Sequence, residues 1–260
     1  MNTHAQNQAN RRRFDGLLQI ARYNWPQYVG AAAVVLVASA WLWFVDPSSG
    51  WLRLGVWIAA LLAAWWSIAS LVASHWIYDV SELYRWTWIP SVLPARPRCW
   101  LNLHAGLDES SSTLRHLFPE SEGQIGDFFE ADEMSEPSIQ RARIEQDRDG
   151  TARRVNHRHL PFPDQSFDAV FLLFAAHEIR RPTSREAFMR EVRRVLTLSG
   201  TVLLVEHGRD LANFVAFGPG FLHFMQGSEW HRLAKIAGLE IVLEQRMTPF
   251  VKIVQLRSKS

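Results

Sequence analysis

The chain has 260 residues, 21% of them charged, with a formal net charge of +2; that length accommodates one α/β domain plus an appendage. The small charge gives no reason to expect a nucleic-acid partner. The single cysteine, Cys99, excludes an internal disulfide and a cysteine-based metal cluster and suits a reducing compartment.

The average conceals a division, because residues 28–78 carry only Asp46 and Arg53 as charges while 108–210 are dense in Asp, Glu and Arg. Residues 1–27 read as a cytoplasmic segment in which Phe14, Leu17, Leu18 and Ala21 recur at helical spacing, as in a short interfacial helix. Two apolar runs follow, 28–45 and 54–78, each close to the roughly 20 residues needed to cross a ~30 Å hydrocarbon core. Between them "DPSSG" (46–50) is a turn. Residues 28–78 are therefore expected to form a transmembrane helical hairpin. Two core helices of a soluble domain are an alternative. Helices apolar on every face, with Trp25, Trp41, Trp43, Trp51, Trp76, Trp86 and Trp88 towards their ends, fit an interfacial aromatic belt better. A cleaved signal peptide does not fit, since apolar residues continue through Val45 and a second span follows. Arg11, Arg12, Arg13 and Arg22 precede the first span and Arg85, Arg96 and Arg98 follow the second, which places both termini in the cytoplasm. Residues 79–98 form a linker in which Pro90, Pro94 and Pro97 preclude one continuous helix and favour an extended connection.

From Cys99 to Ser260 short apolar runs alternate with helical patterns. The strand candidates are "CWLNLHA", "QIGDFFE", "FDAVFLLFA", "GTVLLVEH", "LEIVLEQRM" and "FVKIVQLRS". The first five are separated by "SSTLRHLF", "SIQRARIEQD", "SREAFMREVRRVL" and "EWHRLAKIAG", each helical in period. This predicts a doubly wound α/β sheet whose last two strands, with no helix between them, pair antiparallel. Arg180, Arg181, Arg185, Arg190, Arg193 and Arg194 lie opposite the apolar stripe of one helix and read as a solvated face.

"LPFPDQSFDAVFLLFAAHEI" (160–179), "REVRRVLTLSGTVLLVEH" (190–207) and "EWHRLAKIAGLEIV" (229–242) occur in the order seen in class I S-adenosylmethionine-dependent methyltransferases. Residues 99–258 resemble that family, and within it the branch of the ubiquinone and menaquinone biosynthesis methyltransferases. The resemblance implies a Rossmann-like sheet holding S-adenosylmethionine at the carboxyl ends of its central strands. It maps the family's acidic-x-Gly-x-Gly-x-Gly loop onto Asn102, His104, Gly106 and Asp108, of which only Gly106 keeps its glycine. It makes Asp127 the acceptor for the ribose hydroxyls, Phe128 a wall of the adenine pocket, and Asn156 the reader of the adenine amino group. Phe174 would then line the cofactor after the fourth strand.

Beyond that strand, His177 is a candidate base, because an imidazole titrates near neutrality, and Glu178 a substrate contact. "VEHGRDLANFVAFGPGFLHF" (205–224) packs His207, Arg209 and His223 among phenylalanines, which suits an amphiphilic ligand with a reactive head. His207 is the second catalytic candidate, Arg209 and His223 are substrate-binding candidates, and no metal site is expected. The reading is a membrane-anchored methyltransferase acting on a lipophilic or membrane-associated small molecule, with membrane lipid as its surroundings. The competing reading is a methyltransferase-fold domain that has lost turnover and serves as a membrane-tethered binding module.

Overall fold

The computed structural model describes residues 13–45, 49–134, 136–146 and 152–259; the expected turn at Asp46 and Pro47 and the flanking Arg11 and Arg12 lie outside them. The chain begins with helix α1 (Asp15–Tyr23), whose N-terminal end is capped from a distance. The Asp79 carboxylate accepts from the Gly16 and Leu17 N–H groups at 2.7 and 2.9 Å, satisfying donors a helix start leaves open. Only glycine fits there, since a Cβ on Gly16 would stand 2.5 Å from that of Tyr78.

Helices α2 (Trp25–Phe44) and α3 (Gly50–His75) have 20 and 26 residues, or roughly 30 and 39 Å at 1.5 Å per residue. Only 6% and 11% of their most apolar windows are buried. Core helices of a soluble domain would be mostly covered, so their length, apolarity and exposure together fit a span across a membrane.

The linker departs from expectation. It is a chain of short turns: a π turn (Trp76–Val80), a 3-10 turn (Leu83–Arg85) and the brief helix α4 (Ile89–Val92). Pro90 sits in the first turn of α4, where its missing N–H costs nothing. The prolines do limit helix length, but the apolar residues between them find a partner: Ile77, Leu83, Trp86 and Ile89 are buried and pack in one cluster with Trp100, Phe171, Leu203 and Val205 of the sheet.

That sheet has seven strands in the order β3-β2-β1-β4-β5-β7-β6. They are β1 (Cys99–His104), β2 (Glu122–Asp127), β3 (Arg153–Arg154), β4 (Phe167–Leu173), β5 (Leu196–His207), β6 (Leu239–Thr248) and β7 (Val251–Ser258). The first five run parallel and β7 is antiparallel to both neighbours. The doubly wound sheet is as expected, with two refinements. The two-residue β3 is too short to show as a periodicity. The final strand inserts between β5 and β6 and leaves β6 at the edge, because Val251, Ile253, Val254 and Leu256 are buried while β6 alternates exposed residues.

Helices α5 (Ser111–Leu117), α6 (Pro137–Gln146), α7 (Pro182–Val195), α8 (Leu211–Phe217) and α9 (Gly227–Ala237) complete the domain. On one face of the sheet, Phe188 and Val192 of α7 and Trp230 and Leu233 of α9 pack against Leu172, Val202 and Leu204. On the other, Leu114 of α5 joins the linker residues. The arginines of α7 do not all form a solvated face. Arg185 is buried, donating to the Ile179 and Arg180 carbonyls at 2.9 and 2.6 Å and to Glu229. Strand order reverses between β1 and β4, and ligands of such sheets bind beyond the strand carboxyl ends at that point.

Candidate functional site

Around the reversal, the carboxyl ends of β1, β2, β4 and β5 bring together most of the residues singled out in the sequence. Asn102 is buried in β1, and its Nδ2 donates to the Ser110 and Ser111 hydroxyls at 2.9 and 2.8 Å. Its Oδ1 is buried without a hydrogen-bond partner among the described residues, an acceptor that fits the ammonium of a bound S-adenosylmethionine. His104 turns back on its own loop, where Nδ1 accepts the Gly106 N–H at 3.1 Å; burial lowers its pKa. Asp108 caps α5 by accepting from the Ser110 and Ser111 N–H groups at 3.2 and 2.9 Å. The two side chains that replace glycines are therefore built into the loop. Gly106 keeps the positive φ (+96°) that favours glycine.

Asp127 ends β2, where its Oδ1 accepts the Phe129 N–H at 3.0 Å and its Oδ2 meets Arg143 Nη1 at 2.8 Å. Arg143 also lies over Gly106, whose Cβ would stand 2.3 Å from Nη1, and its guanidinium faces the Phe129 ring at 4.2 Å. In this conformation an arginine holds the carboxylate oxygen expected to take the ribose. Phe128 is a core residue rather than a wall of this cleft: it is wholly buried, 5.0 Å from the Phe188 ring. Asn156 is exposed and accepts the Arg158 N–H at 2.7 Å in a local turn.

Phe174 follows β4 with φ +53°, a left-handed conformation uncommon for a bulky residue. Its ring stands 5.2 Å from His207 and 5.8 Å from Tyr84. The next turn (Ala176–Glu178) carries His177 between two carboxylates, with Nδ1 2.6 Å from Glu206 and Nε2 3.2 Å from Glu178. Burial by itself lowers the His177 pKa, but Glu206 and then Glu178 outweigh it and push the value up to about 10. At neutral pH the group is an imidazolium, which is not the free base expected of it. His207 goes the other way: burial first, and the nearby His177 charge next, push it down to about 3. It stacks on Phe224 at 4.5 Å and 17° and stays neutral. His223 joins the same group, with Nε2 3.5 Å from Glu178 and Nδ1 3.0 Å from Glu136. Arg180 contacts its ring, 2.8 Å from Nε2. Arg209 is engaged by backbone, donating to the Phe224 and Leu222 carbonyls at 2.7 and 2.5 Å.

Glu136, Arg143 and Arg180 are the participants that sequence reasoning missed. Arg180 reads as part of a solvated face, Arg143 only as part of a helix, and no spacing marks any of the three.

Elements outside the sheet pack over both sides of these strand ends. On the β1 side, Gln19 of α1 donates to Glu109 at 2.7 Å, Tyr84 binds the same carboxylate, and Arg141 of α6 donates to the Tyr23 carbonyl at 2.6 Å. On the β5 side, α8 packs on α3: Trp65 Nε1 donates to the Val215 carbonyl at 3.1 Å and Trp66 meets Phe214 edge-on at 5.7 Å. Gly218 ends α8 with φ +55° and lies so close that a Cβ would stand 2.5 Å from the Trp66 ring.

Residues 127–204, from the end of β2 into β5, match the family model of the Methyltransferase domain. A phosphatidylethanolamine N-methyltransferase from Cereibacter sphaeroides is 30% identical over 104 residues, 37% of this chain and 50% of that protein. The chain thus spans about half the length of this curated relative. Among solved structures, the PH0226 protein from Pyrococcus horikoshii OT3 superposes with a TM-score of 0.51 at 19% identity, covering 69% of this chain and 92% of that one. The [4+2]-cyclase SpnF superposes with a TM-score of 0.50 at 14% identity, covering 70% and 82%. At such identities the structural likeness shows the fold.

Proposed function

We propose that this chain, which carries a class I S-adenosylmethionine-dependent methyltransferase domain, is a membrane-anchored methyltransferase whose acceptor is lipophilic or held at a membrane. Asn102, Gly106 and Asp127 are the residues that would hold the cofactor, which supplies an electrophilic methyl on a sulfonium when bound. Methyl transfer is an in-line displacement, so the chain's own work is to align and desolvate the partners. The fit at Asp127 requires Arg143 to leave the carboxylate, which two ribose hydroxyls can then occupy.

The observation that carries the membrane half of this reading is the contact of Trp65 and Trp66 with Val215, Phe214 and Gly218. Those tryptophans stand about ten residues before the end of α3, roughly 14 Å along its axis. If α3 spans a bilayer, the segment that roofs the His207 cleft lies at the depth of the adjacent leaflet. Its outer side chains are suited to that depth, since Leu211, Val215 and Leu222 are exposed and apolar. An acceptor's apolar tail can then remain beside α3 while its head reaches the polar groups at His177, Glu178 and Glu206. A tether of this kind raises the effective concentration of a membrane-held acceptor. The phospholipid named for the Cereibacter relative is an acceptor of the same kind.

The Arg143–Asp127 pair favours a second reading, a tethered binding module that has lost turnover, because fold alone does not confer activity. Calorimetric titration of the detergent-solubilised chain with S-adenosylmethionine separates the two. Incubation with membrane lipid extract and isotopically labelled methyl donor then tests the acceptor. We expect saturable binding and label in the organic phase. An absence of cofactor binding overturns the enzyme reading, and label confined to soluble products overturns the lipophilic acceptor.

A further inference from the structure

His177, Glu178 and His223 each offer one ligand atom to a common point, the three lying within 4.8 Å of one another. The convergence is specific. Nε2 of His177 and Nε2 of His223 both face the same oxygen, Glu178 Oε1, at 3.2 and 3.5 Å. A tetrahedral metal with bonds of about 2.1 Å sets its ligand atoms roughly 3.4 Å apart. Both remaining imidazole nitrogens are held by carboxylates, Nδ1 of His177 by Glu206 at 2.6 Å and Nδ1 of His223 by Glu136 at 3.0 Å. That outer carboxylate on each histidine is the arrangement that orients metal-bound imidazoles.

A further observation points the same way. Glu178 is nine-tenths buried, yet its Oε2 has no hydrogen-bond partner among the described residues, with Arg180 Nη2 standing off at 4.0 Å. The other histidine–carboxylate group among the described residues, Glu130, Glu133 and His157, also brings its ligand atoms within 4.8 Å, but it offers a single imidazole, and no two of its nitrogens meet one carboxylate oxygen.

We infer that His177, Glu178 and His223 form a binding site for a divalent transition metal. Two imidazoles and a carboxylate suit zinc or iron(II), and three protein ligands leave a position open, as in catalytic rather than structural sites. That position would be free to take an oxygen of the acceptor's polar head. Binding of the metal stands independently of the proposed methyl transfer; only this role toward the acceptor rests on that reading. Arg180, now against both ring nitrogens of His223, is the group the metal would displace.

The test uses the full chain in detergent with a tag free of histidine, stripped with chelator and titrated with Zn²⁺ against a chromophoric competitor. Co²⁺ is then added to read coordination from its visible absorption. The expected result is one equivalent bound tightly, a tetrahedral Co²⁺ spectrum and a thermal midpoint that rises with Zn²⁺. Glu178→Gln and His223→Ala should each weaken binding at least a hundredfold, and Glu136→Gln, at a partly exposed outer carboxylate, about ten- to a hundredfold. Arg180→Ala should bind as tightly or more so. The inference is overturned if no equivalent binds, or if folded Glu178→Gln and His223→Ala bind like the parent. It is also overturned if Arg180→Ala abolishes binding, since Arg180 would then be part of the site and not its competitor. Because metal binding is read directly, these outcomes do not depend on whether methyl transfer occurs.

Discussion

In this conformation Arg143 holds Asp127 Oδ2, so a second partner at that oxygen has to compete with it. Asp127→Ala should weaken S-adenosylmethionine binding about ten- to a hundredfold, the worth of hydrogen bonds to a charged acceptor at roughly 1.5–3 kcal/mol. Arg143→Ala should strengthen it, since it removes the competitor and uncovers Gly106. Calorimetry on both variants decides the matter, and equal affinity in all three proteins would remove Asp127 from the site. His207 makes a different claim. Its folded pKa lies near 3 because burial, then His177, disfavour its charged form, while an unfolded histidine titrates near 6.5. A depressed value means stability that is complete above pH 6.5 and lost as pH falls towards 3. By pH 5 the loss from this one group reaches about 2 kcal/mol at 1.36 kcal/mol per unit. Thermal midpoints of the parent and His207→Gln should therefore converge as pH drops from 8 to 5, and parallel curves would show that His207 does not titrate in this way.

At the scale of elements, the junction of α8 with α3 joins the cleft to the apolar helices. Gly218→Val places a side chain into the Trp66 ring and into a left-handed conformation that a β-branched residue avoids. We expect a lower thermal midpoint and a changed tryptophan emission, with cofactor affinity kept because Asn102 and Asp127 lie at other strand ends. Leu211→Asp and Val215→Asp test the outer face of α8. A buried aliphatic side chain is worth about 1.5–3 kcal/mol, so turnover of a bilayer-held acceptor should fall tenfold or more. A water-soluble analogue should be used as before, and an equal fall for both acceptors would count against the leaflet-facing roof.

For the molecule as a whole, the linker decides where the domain can be cut. Ile77, Leu83, Trp86 and Ile89 are wholly or almost wholly buried against the sheet. Losing four such side chains forfeits about 1.5–3 kcal/mol each, comparable in sum with the ~5–15 kcal/mol that hold a typical domain. A fragment starting at Cys99 should fail to fold, whereas one starting at Trp76 should keep a cooperative thermal transition. The placement of the arginines around α2 and α3 further predicts that a reporter after Ser260 is cytoplasmic and that the intact chain resists carbonate extraction. An external reporter would refute the hairpin topology.

Local patterns determined a large part of this protein. Continuous apolar runs marked α2 and α3, because helices apolar on every side have no polar face to interrupt them. Period-two and period-3.6 alternation marked the strands and helices of the sheet, because each buries one face. The position of Asp127, His177 and His207 at strand carboxyl ends was legible because it follows from the strand pattern alone, whereas their roles were not. Other features depend on contacts between segments far apart in the chain, which no local period encodes. The linker reads as an extended spacer until the sheet supplies an apolar face for Trp86 and Ile89. The occupancy of Asp127 is decided by Arg143, sixteen residues away. The protonation of His177 is decided by Glu206, brought from twenty-nine residues away, and the meeting of His223 with Glu136 spans eighty-seven. An ionisable side chain takes its charge from its neighbours in space, and only tertiary structure assigns those neighbours.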